Sequence, residues 1–299
     1  MKKIKIILVG AGPRGFNWLK VIKKLNTIEL VGICDLNVNI KAKIKSLKLN
    51  NIPFFTSFEK AVVSLKPDAV LLSTPPFNRL SDIKICCKYR LAALVEKPLS
   101  TNFLEAKKMV DLMTKYKLPF MIGLNFRYFP VSKKIFQILK SRIIGKPSFA
   151  KFVYERWRDG HLTHLNKYPL TMEHPMLWEQ SIHHFDLMRF VYNSEVKSVY
   201  AITWNPSWSM YSCDTNVFAL LEFNNNLIVN YTGTWQGNFN SLNFEWRTEC
   251  SKGIIIQKKQ FSDLYYANNK SHELKKINLK KIINWQDDSK LLLTDFIKS

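Results

Sequence analysis

Three short stretches hold residues able to do chemistry together: Gly10-Ala11-Gly12-Pro13-Arg14-Gly15, Glu96-Lys97-Pro98, and Glu179-Gln180-Ser181-Ile182-His183-His184-Phe185-Asp186. The first has the spacing of a turn that cradles the pyrophosphate of a dinucleotide. The other two supply a lysine and a histidine flanked by carboxylates, groups that can move a proton while hydride leaves an alcohol carbon. In that chemistry Lys97 stabilises the developing alkoxide as a cation. His183 serves as general base or acid. Glu179 precedes it by four residues, so one helix face presents both, and a carboxylate on one imidazole nitrogen fixes the tautomer. Asp186 lies one turn further on, and His184, on a neighbouring face, is the second choice for the reactive imidazole.

A pyrophosphate turn has to sit between a strand and a helix. Ile4–Val9 is a continuous apolar-rich strand, and beyond Gly15 the residues Trp18, Val21, Ile22 and Leu25 recur at helical spacing. Gly10 allows the tight turn, Gly12 lets backbone approach phosphate, and Gly15 lets the helix pack on the strand. Pro13 suits the first helical turn, and the helix N-terminus favours the anion. Asp35 ends the second strand, about 20 residues past Gly15, where an acid bonds the adenosine ribose. Its charge repels a 2′-phosphate, so NAD is expected, with NADP as the alternative that Arg14 and nearby lysines leave open. Ser73-Thr74-Pro75 ends the fourth strand, near the sheet edge where such ligands lie, and also simply stops that strand.

The elements around these residues fall into two patterns. Through residue 122 short apolar strands (Ile28–Cys34, Pro53–Phe55, Ala69–Leu72, Leu91–Val95, Pro119–Ile122) alternate with helical segments (Phe58–Leu65, Ser81–Tyr89, Phe103–Tyr116), as in a parallel sheet covered on both faces. Past Gly123, helices at Ser132–Ser141 and Trp178–Tyr192 accompany longer strands at Ser148–Glu155, Val196–Trp204, Asn216–Phe223 and Leu227–Thr234. Asn224-Asn225-Asn226 reads as the hairpin turn between the last two. The expected fold is α/β: a Rossmann dinucleotide-binding domain over 1–122 and an α/β domain with an open, mostly antiparallel sheet over 123–299.

Composition narrows the rest. A 46% hydrophobic chain of 299 residues with 20 Phe and 8 Trp is not disordered and is long enough for two domains. No apolar run reaches the ~18 residues of a membrane span. Met1-Lys2-Lys3 before Ile4–Val9 imitates a secretion signal, but the apolar part is short and runs into the glycine turn, so it reads as a buried strand. Five cysteines in an odd count fit a reducing cytoplasm, and adjacent Cys86 and Cys87 read as small hydrophobes ahead of a redox pair. The net charge of +22 comes from lysines scattered over helix faces, densest at Lys275-Lys276 and Lys280-Lys281, without a nucleic-acid recognition motif. It suits attraction of an anionic substrate or cofactor. His161, His164, His174 and His183 match no zinc spacing, and no metal is expected. Arg127, Arg156 and Arg158 could hold a carboxylate or phosphate, and the tryptophans of the second half could stack on sugar rings or pack a core.

The chain resembles the glucose–fructose oxidoreductase / inositol dehydrogenase / rhizopine-catabolism (Gfo/Idh/MocA) family. The resemblance is carried by the glycine motif, Lys66-Pro67-Asp68-Ala69-Val70 before Ser73-Thr74-Pro75-Pro76, Glu96-Lys97-Pro98-Leu99, Asn125-Phe126-Arg127-Tyr128-Phe129-Pro130, Ile144-Gly145-Lys146-Pro147 and His183-His184-Phe185-Asp186. It implies NAD(P)-dependent hydride transfer at a secondary alcohol or ketone of a sugar, polyol or sugar derivative. It adds Glu96 and Lys97 to the cofactor contacts, with Lys97 on both the substrate hydroxyl and the nicotinamide ribose, and a cis peptide before Pro98. Substrate contacts then fall on Lys97, Arg127, Tyr128, Arg158, His183 and His184. A homodimer or tetramer through the C-terminal sheet is also implied.

The sequence departs from the family pattern in four places. Glu179 stands where many relatives carry aspartate, Arg79 where histidine is frequent, and Arg90 where glycine is usual. Leu291–Ile297 resembles a helix that relatives follow with a few dozen more residues, so a terminal helix is expected to be missing. Two alternative functions share the fold: a glycoside hydrolase that uses NAD transiently, and a non-enzymatic dinucleotide sensor.

Overall fold

The computed structural model describes residues 3–280 and 286–299. The chain forms two compact units, Met1–Asn125 with Asn284–Ser299, and Phe126–Ile283.

In the first unit the strands are β1 (Ile4–Val9), β2 (Ile28–Cys34), β3 (Phe54–Phe55), β4 (Ala69–Leu72), β5 (Ala92–Val95) and β6 (Phe120–Ile122). They lie in the order β3-β2-β1-β4-β5-β6 and every pair is parallel. This is the doubly wound arrangement in which ligands meet the carboxyl ends of the strands where the order reverses. Between the strands run α1 (Pro13–Ile22), α2 (Ile40–Lys45), α3 (Phe58–Leu65), α4 (Arg79–Tyr89) and α5 (Phe103–Lys115). Ile6, Ile7, Leu8, Val70, Leu71, Leu72, Leu94 and Val95 are buried, the near-continuous apolar runs of a sheet covered on both faces. Ser57 Oγ accepts from Lys60 N, and Asn102 Oδ1 from Glu105 N, so side chains satisfy first-turn donors of α3 and α5. Arg90 closes α4 at φ +54, the left-handed conformation in which a glycine would be relaxed.

The second unit is built on an eight-stranded sheet. Its elements are α6 (Pro130–Ser141), β7 (Pro147–Glu155), α7 (Ile182–Tyr192), β8 (Val196–Trp204), β9 (Asn216–Phe223), β10 (Ile228–Thr234), β11 (Asn243–Cys250), β12 (Gly253–Lys259), β13 (Ser262–Asn268) and β14 (Lys275–Lys276). The order is β14-β13-β12-β11-β7-β10-β9-β8, antiparallel except for the β7–β10 pair. One face packs on α6 and α7 through Phe152, Tyr154, Tyr231, Val229, Leu221 and Trp246. The other face leaves Phe149, Tyr200, Ile202, Phe218, Leu220 and Ile228 exposed.

Two expectations need correction here. The last helix, α8 (Asp287–Lys298), belongs to the first unit, where it packs on α1. Arg14 Nη2 reaches Ser289 Oγ at 3.5 Å, Lys24 Nζ reaches Gln286 Oε1 at 3.1 Å, and Asn125 Nδ2 donates to Asp288 Oδ2. The first unit also extends to Asn125, three residues past the expected boundary, because Asn125 pairs with α8. Lys281, in the densest basic cluster, lies outside the described residues.

Candidate functional site

The glycine turn follows β1 and opens α1. Gly10, at φ +85, lies so close to β4 that a Cβ would come within 2.7 Å of Thr74 N and 2.8 Å of Ser73 C. At Gly15 a Cβ would sit 1.9 Å from Gly10 O, so only hydrogen fits between α1 and the turn. At Gly12, the N-cap of α1, a Cβ would meet nothing within 4 Å. The turn thus has two glycines fixed by the protein and one facing open space at a helix N-terminus, as a close-approaching diphosphate requires. Ser73 Oγ and Thr74 Oγ1, against Gly10, are buried and have no protein hydrogen-bond partner. These features fit a dinucleotide. Asp35 Oδ2 accepts from Ala11 N at 2.6 Å and Oδ1 from Asn37 N at 2.8 Å, which ties the end of β2 to the turn.

Arg14 and Glu96, both expected cofactor contacts, pair with each other. Arg14 Nε donates to Glu96 Oε1 at 2.6 Å, Trp18 Nε1 donates to the same oxygen at 2.7 Å, and the guanidinium lies 5.0 Å from the Trp18 ring. A nearly buried carboxylate is costly without such donors. Glu96 therefore locks the glycine turn, α1 and the segment leading to Lys97 into one network, and its Oε2 accepts from Lys97 N at 3.3 Å. Pro13 takes the N1 position as expected, while Pro75 is exposed just beyond Thr74.

Lys97 follows β5 and is half-buried, and the Lys97–Pro98 peptide is cis. The residue that holds this segment is Arg79, which sequence reasoning treated only as a departure from a family pattern. Its guanidinium is 1% exposed and donates to the carbonyls of Thr74, Glu96 and Pro98. One planar fork thus ties the turn after β4 to the turn after β5.

In the second unit, His183 is 5% exposed and its ring stacks on Phe126, centroids 4.0 Å apart and planes 10° apart. The helix around it is not uniform: Leu177–Ser181 form a π-helical turn before α7 begins at Ile182. Glu179 therefore does not hold simple α-helical register with His183, and Tyr168 OH donates to its Oε1 at 2.7 Å. Tyr168 opens a short 3-10 turn (Tyr168–Leu170) before the helix and has no sequence signal. π-turns of this kind recur at functional sites.

The other expected substrate contacts fall in different settings. His184 is a core residue: 1% exposed, with Nδ1 2.9 Å from Tyr231 OH and Nε2 3.1 Å from Gln180 Nε2. Burial pushes its imidazole down to about 3, so it stays neutral. Arg127 makes a two-toothed pair with Asp186 (2.7 and 2.5 Å), which spends both its fork and the carboxylate placed near His183 by sequence. Tyr128 is half-buried beside Lys133, whose Nζ lies 5.3 Å from its ring. Arg158 keeps a partly open role: Nη1 donates to Tyr211 OH at 2.8 Å while the guanidinium stacks 4.0 Å from the Trp235 centroid.

His184 gives a pH prediction. Its folded pKa lies far below the unfolded value near 6.5, so below that pH the unfolded chain binds the extra proton. Stability contributed by the neutral ring is present above about pH 6.5 and is lost as pH falls. Denaturant melts should show that loss at up to ~1.4 kcal/mol per pH unit, and His184→Gln should flatten the slope by that amount. An unchanged slope in the variant would remove His184 as the titrating group.

Burial, then the charge of Asp35, pushes the Cys34 thiol up to about 12, and burial raises Cys86 and Cys87. Among the described residues no cluster of three or more His, Cys, Asp or Glu could hold a metal ion, and no helix is long and apolar enough to cross a membrane.

Comparison with known proteins agrees with this geometry. Residues 4–124 match the model of the oxidoreductase family with the NAD-binding Rossmann fold, and residues 132–256 match the GFO/IDH/MocA C-terminal domain. The chain belongs to the Gfo/Idh/MocA oxidoreductase family. An uncharacterised protein of Sinorhizobium fredii is 25% identical over 267 residues, covering 84% of this chain and 72% of that protein. A myo-inositol 2-dehydrogenase of Thermotoga maritima is 22% identical, covering 66% of this chain and 58% of that enzyme. The crystal structure of an oxidoreductase from Thermotoga maritima, 24% identical, superposes with a TM-score of 0.81 over 99% of this chain and 88% of that one.

Proposed function

We propose that the protein is an NAD-dependent oxidoreductase that moves hydride between nicotinamide and a secondary alcohol or ketone of a sugar, polyol or sugar derivative. The observation that carries this reading is the edge of the first sheet, where Arg79 and Glu96 fix Lys97 in the same network as the glycine turn. The dinucleotide would be held by Gly10, Gly12, Gly15, Asp35, Ser73 and Thr74, and it supplies the acceptor for hydride. Lys97 stabilises the alkoxide that forms as the proton leaves. His183 takes that proton, its ring plane set by Phe126. Asp35 disfavours a 2′-phosphate, so NAD is the cofactor ahead of NADP. The family membership and the inositol-oxidising relative support a sugar-like substrate.

The test is absorbance of reduced nicotinamide when the protein meets NAD or NADP with a panel of cyclitols, alditols, sugars and aldonic acids. Reduction of NAD by at least one of them is expected, with NADP slower. Tight NADH binding with no turnover across the panel would overturn the enzyme reading and favour a sensor.

We further propose self-association through the outer face of the second sheet. Tyr200 pairs with Leu220 and Ile202 with Phe218 across β8 and β9, and Ile228 with Phe149 across β10 and β7. Such a contiguous apolar face is what subunit contacts bury. Sedimentation velocity should show a dimer or tetramer that Phe218→Glu with Leu220→Glu shifts to monomer; a monomeric parent protein would overturn this.

A further inference from the structure

The end of the second sheet gathers hydrogen-bond donors around two arginines. β7 and β10 are parallel, so the segments that follow them leave the sheet together, and Arg156 N donates to Thr234 O, Arg158 N to Trp235 O and Gly237 N to Arg156 O. In extended backbone Tyr154, Arg156 and Arg158 alternate onto one side, with Trp157 bridging Gln236 on the other phase. The Arg158 guanidinium carbon lies 4.0 Å from the Trp235 ring centroid and Nη1 donates to Tyr211 OH, while among the described residues Nε and Nη2 of the fork have no hydrogen-bond partner. Trp235 is 2% exposed, and its Nε1, a donor only, has no protein hydrogen-bond partner. Burial pushes the Tyr154 phenol up, and a hydrogen bond from Arg156 pulls it back, which places the second guanidinium on the same side. Among the described residues neither arginine is paired with a carboxylate, whereas Arg127 is fully spent on Asp186.

We propose that this cluster is an anion subsite in which Arg158 and Arg156, with Trp235 Nε1, hold a carboxylate or phosphate of the substrate. The inference rests on the oxidoreductase reading only for its choice of sugar-like ligands. The chemistry follows from the donor set. Two half-buried guanidiniums and an indole N–H are donors with no acceptor capacity, and a group that accepts at several atoms and carries negative charge satisfies them together. The stacked Arg158 is preorganised, and its open edge suits the two oxygens of a carboxylate or phosphate. The substrate is then a sugar acid or sugar phosphate, not a neutral polyol.

Calorimetric titration of the NADH-saturated protein with D-gluconate, D-glucose 6-phosphate, D-glucitol and myo-inositol tests this and separates the two anions. One of the anions should bind about tenfold or more tightly than either neutral polyol at low salt. Arg158→Gln should abolish that preference, Arg156→Gln should reduce it, and Arg158→Lys should retain only part of it. Should Arg158→Gln fail to fold, Arg156→Gln and Arg158→Lys carry the same comparison. Equal binding of anion and polyol, binding of the neutral compounds alone, no binding by any of the four, or a preference that survives the substitutions would overturn the subsite. The readout is binding, so an anion held through Arg158 together with no NAD turnover across the whole panel would sink the oxidoreductase reading alone. Oxidation of a neutral polyol without anion binding would sink the subsite alone.

Discussion

Gly15→Ala should cost the first unit its stability together with its affinity for NADH, whereas Gly12→Ala should keep the stability and lose the affinity. A methyl at position 15 would stand 1.9 Å from Gly10 O and 2.9 Å from Gly10 C. Both are backbone atoms, so no rotamer relieves the clash and α1 must lift from β1. That movement would open the layer in which Trp18, Leu19 and Ile22 bury against the sheet. Overpacking of this sort costs about 1–3 kcal/mol or more. Position 12 is the opposite case. Its backbone, at φ −60 and ψ −167, is open to any residue, and the added methyl meets no protein atom. What it obstructs is the approach of a diphosphate to the first turn of α1. Thermal unfolding and NADH fluorescence titration of both variants read the two effects separately. Wild-type NADH affinity in Gly12→Ala would mean that phosphate does not approach there.

Lys97→Ala should lower turnover by about 10²–10³-fold, the usual worth of one preorganised group that stabilises a developing oxyanion. NADH affinity should change little. The segment around Lys97 is held through backbone and through other side chains: Arg79 grips the carbonyls of Glu96 and Pro98, and Glu96 Oε2 accepts from Lys97 N. Removing the ammonium therefore leaves the turn in place. Lys97→Arg should not restore activity, because a planar fork cannot take the position of a compact ammonium. Steady-state rates with whichever compound the parent protein oxidises, beside NADH titration, decide the matter. Turnover preserved in Lys97→Ala would remove the residue from the mechanism.

The parts of this protein legible in its sequence are those where local chemistry has one solution. A glycine turn between an apolar strand and an amphipathic helix, with Pro13 at its first position, admits one geometry, and β1, β2, β4 and α3 fall where periodicity puts them. The misplaced residues depend on distant partners. His183 and His184 are adjacent on α7, and which of them meets Phe126 and which meets Tyr231 follows from how the helix rolls on the sheet. Arg127 looked free for substrate because its partner, Asp186, is 59 residues away. In the sequence Arg79 stands out only as a departure from the family pattern. It is buried because the irregular turn at Glu96–Leu99 leaves carbonyls that no strand satisfies. The strands β11 to β13 lie beyond the last strand identified from sequence. In β11, Phe244, Trp246 and Thr248 alternate inward among charged residues that mask the pattern.

The helix α8 gives the first domain a discontinuous covalent path. During synthesis the nucleotide-binding half leaves the ribosome first, yet Asn125 and Arg14 wait for Asp288 and Ser289, which follow the second domain in the chain. The whole of the second domain is made inside that interval. Completion of the earlier-made half is thereby deferred until the nascent chain has delivered the later one, which couples the two in time.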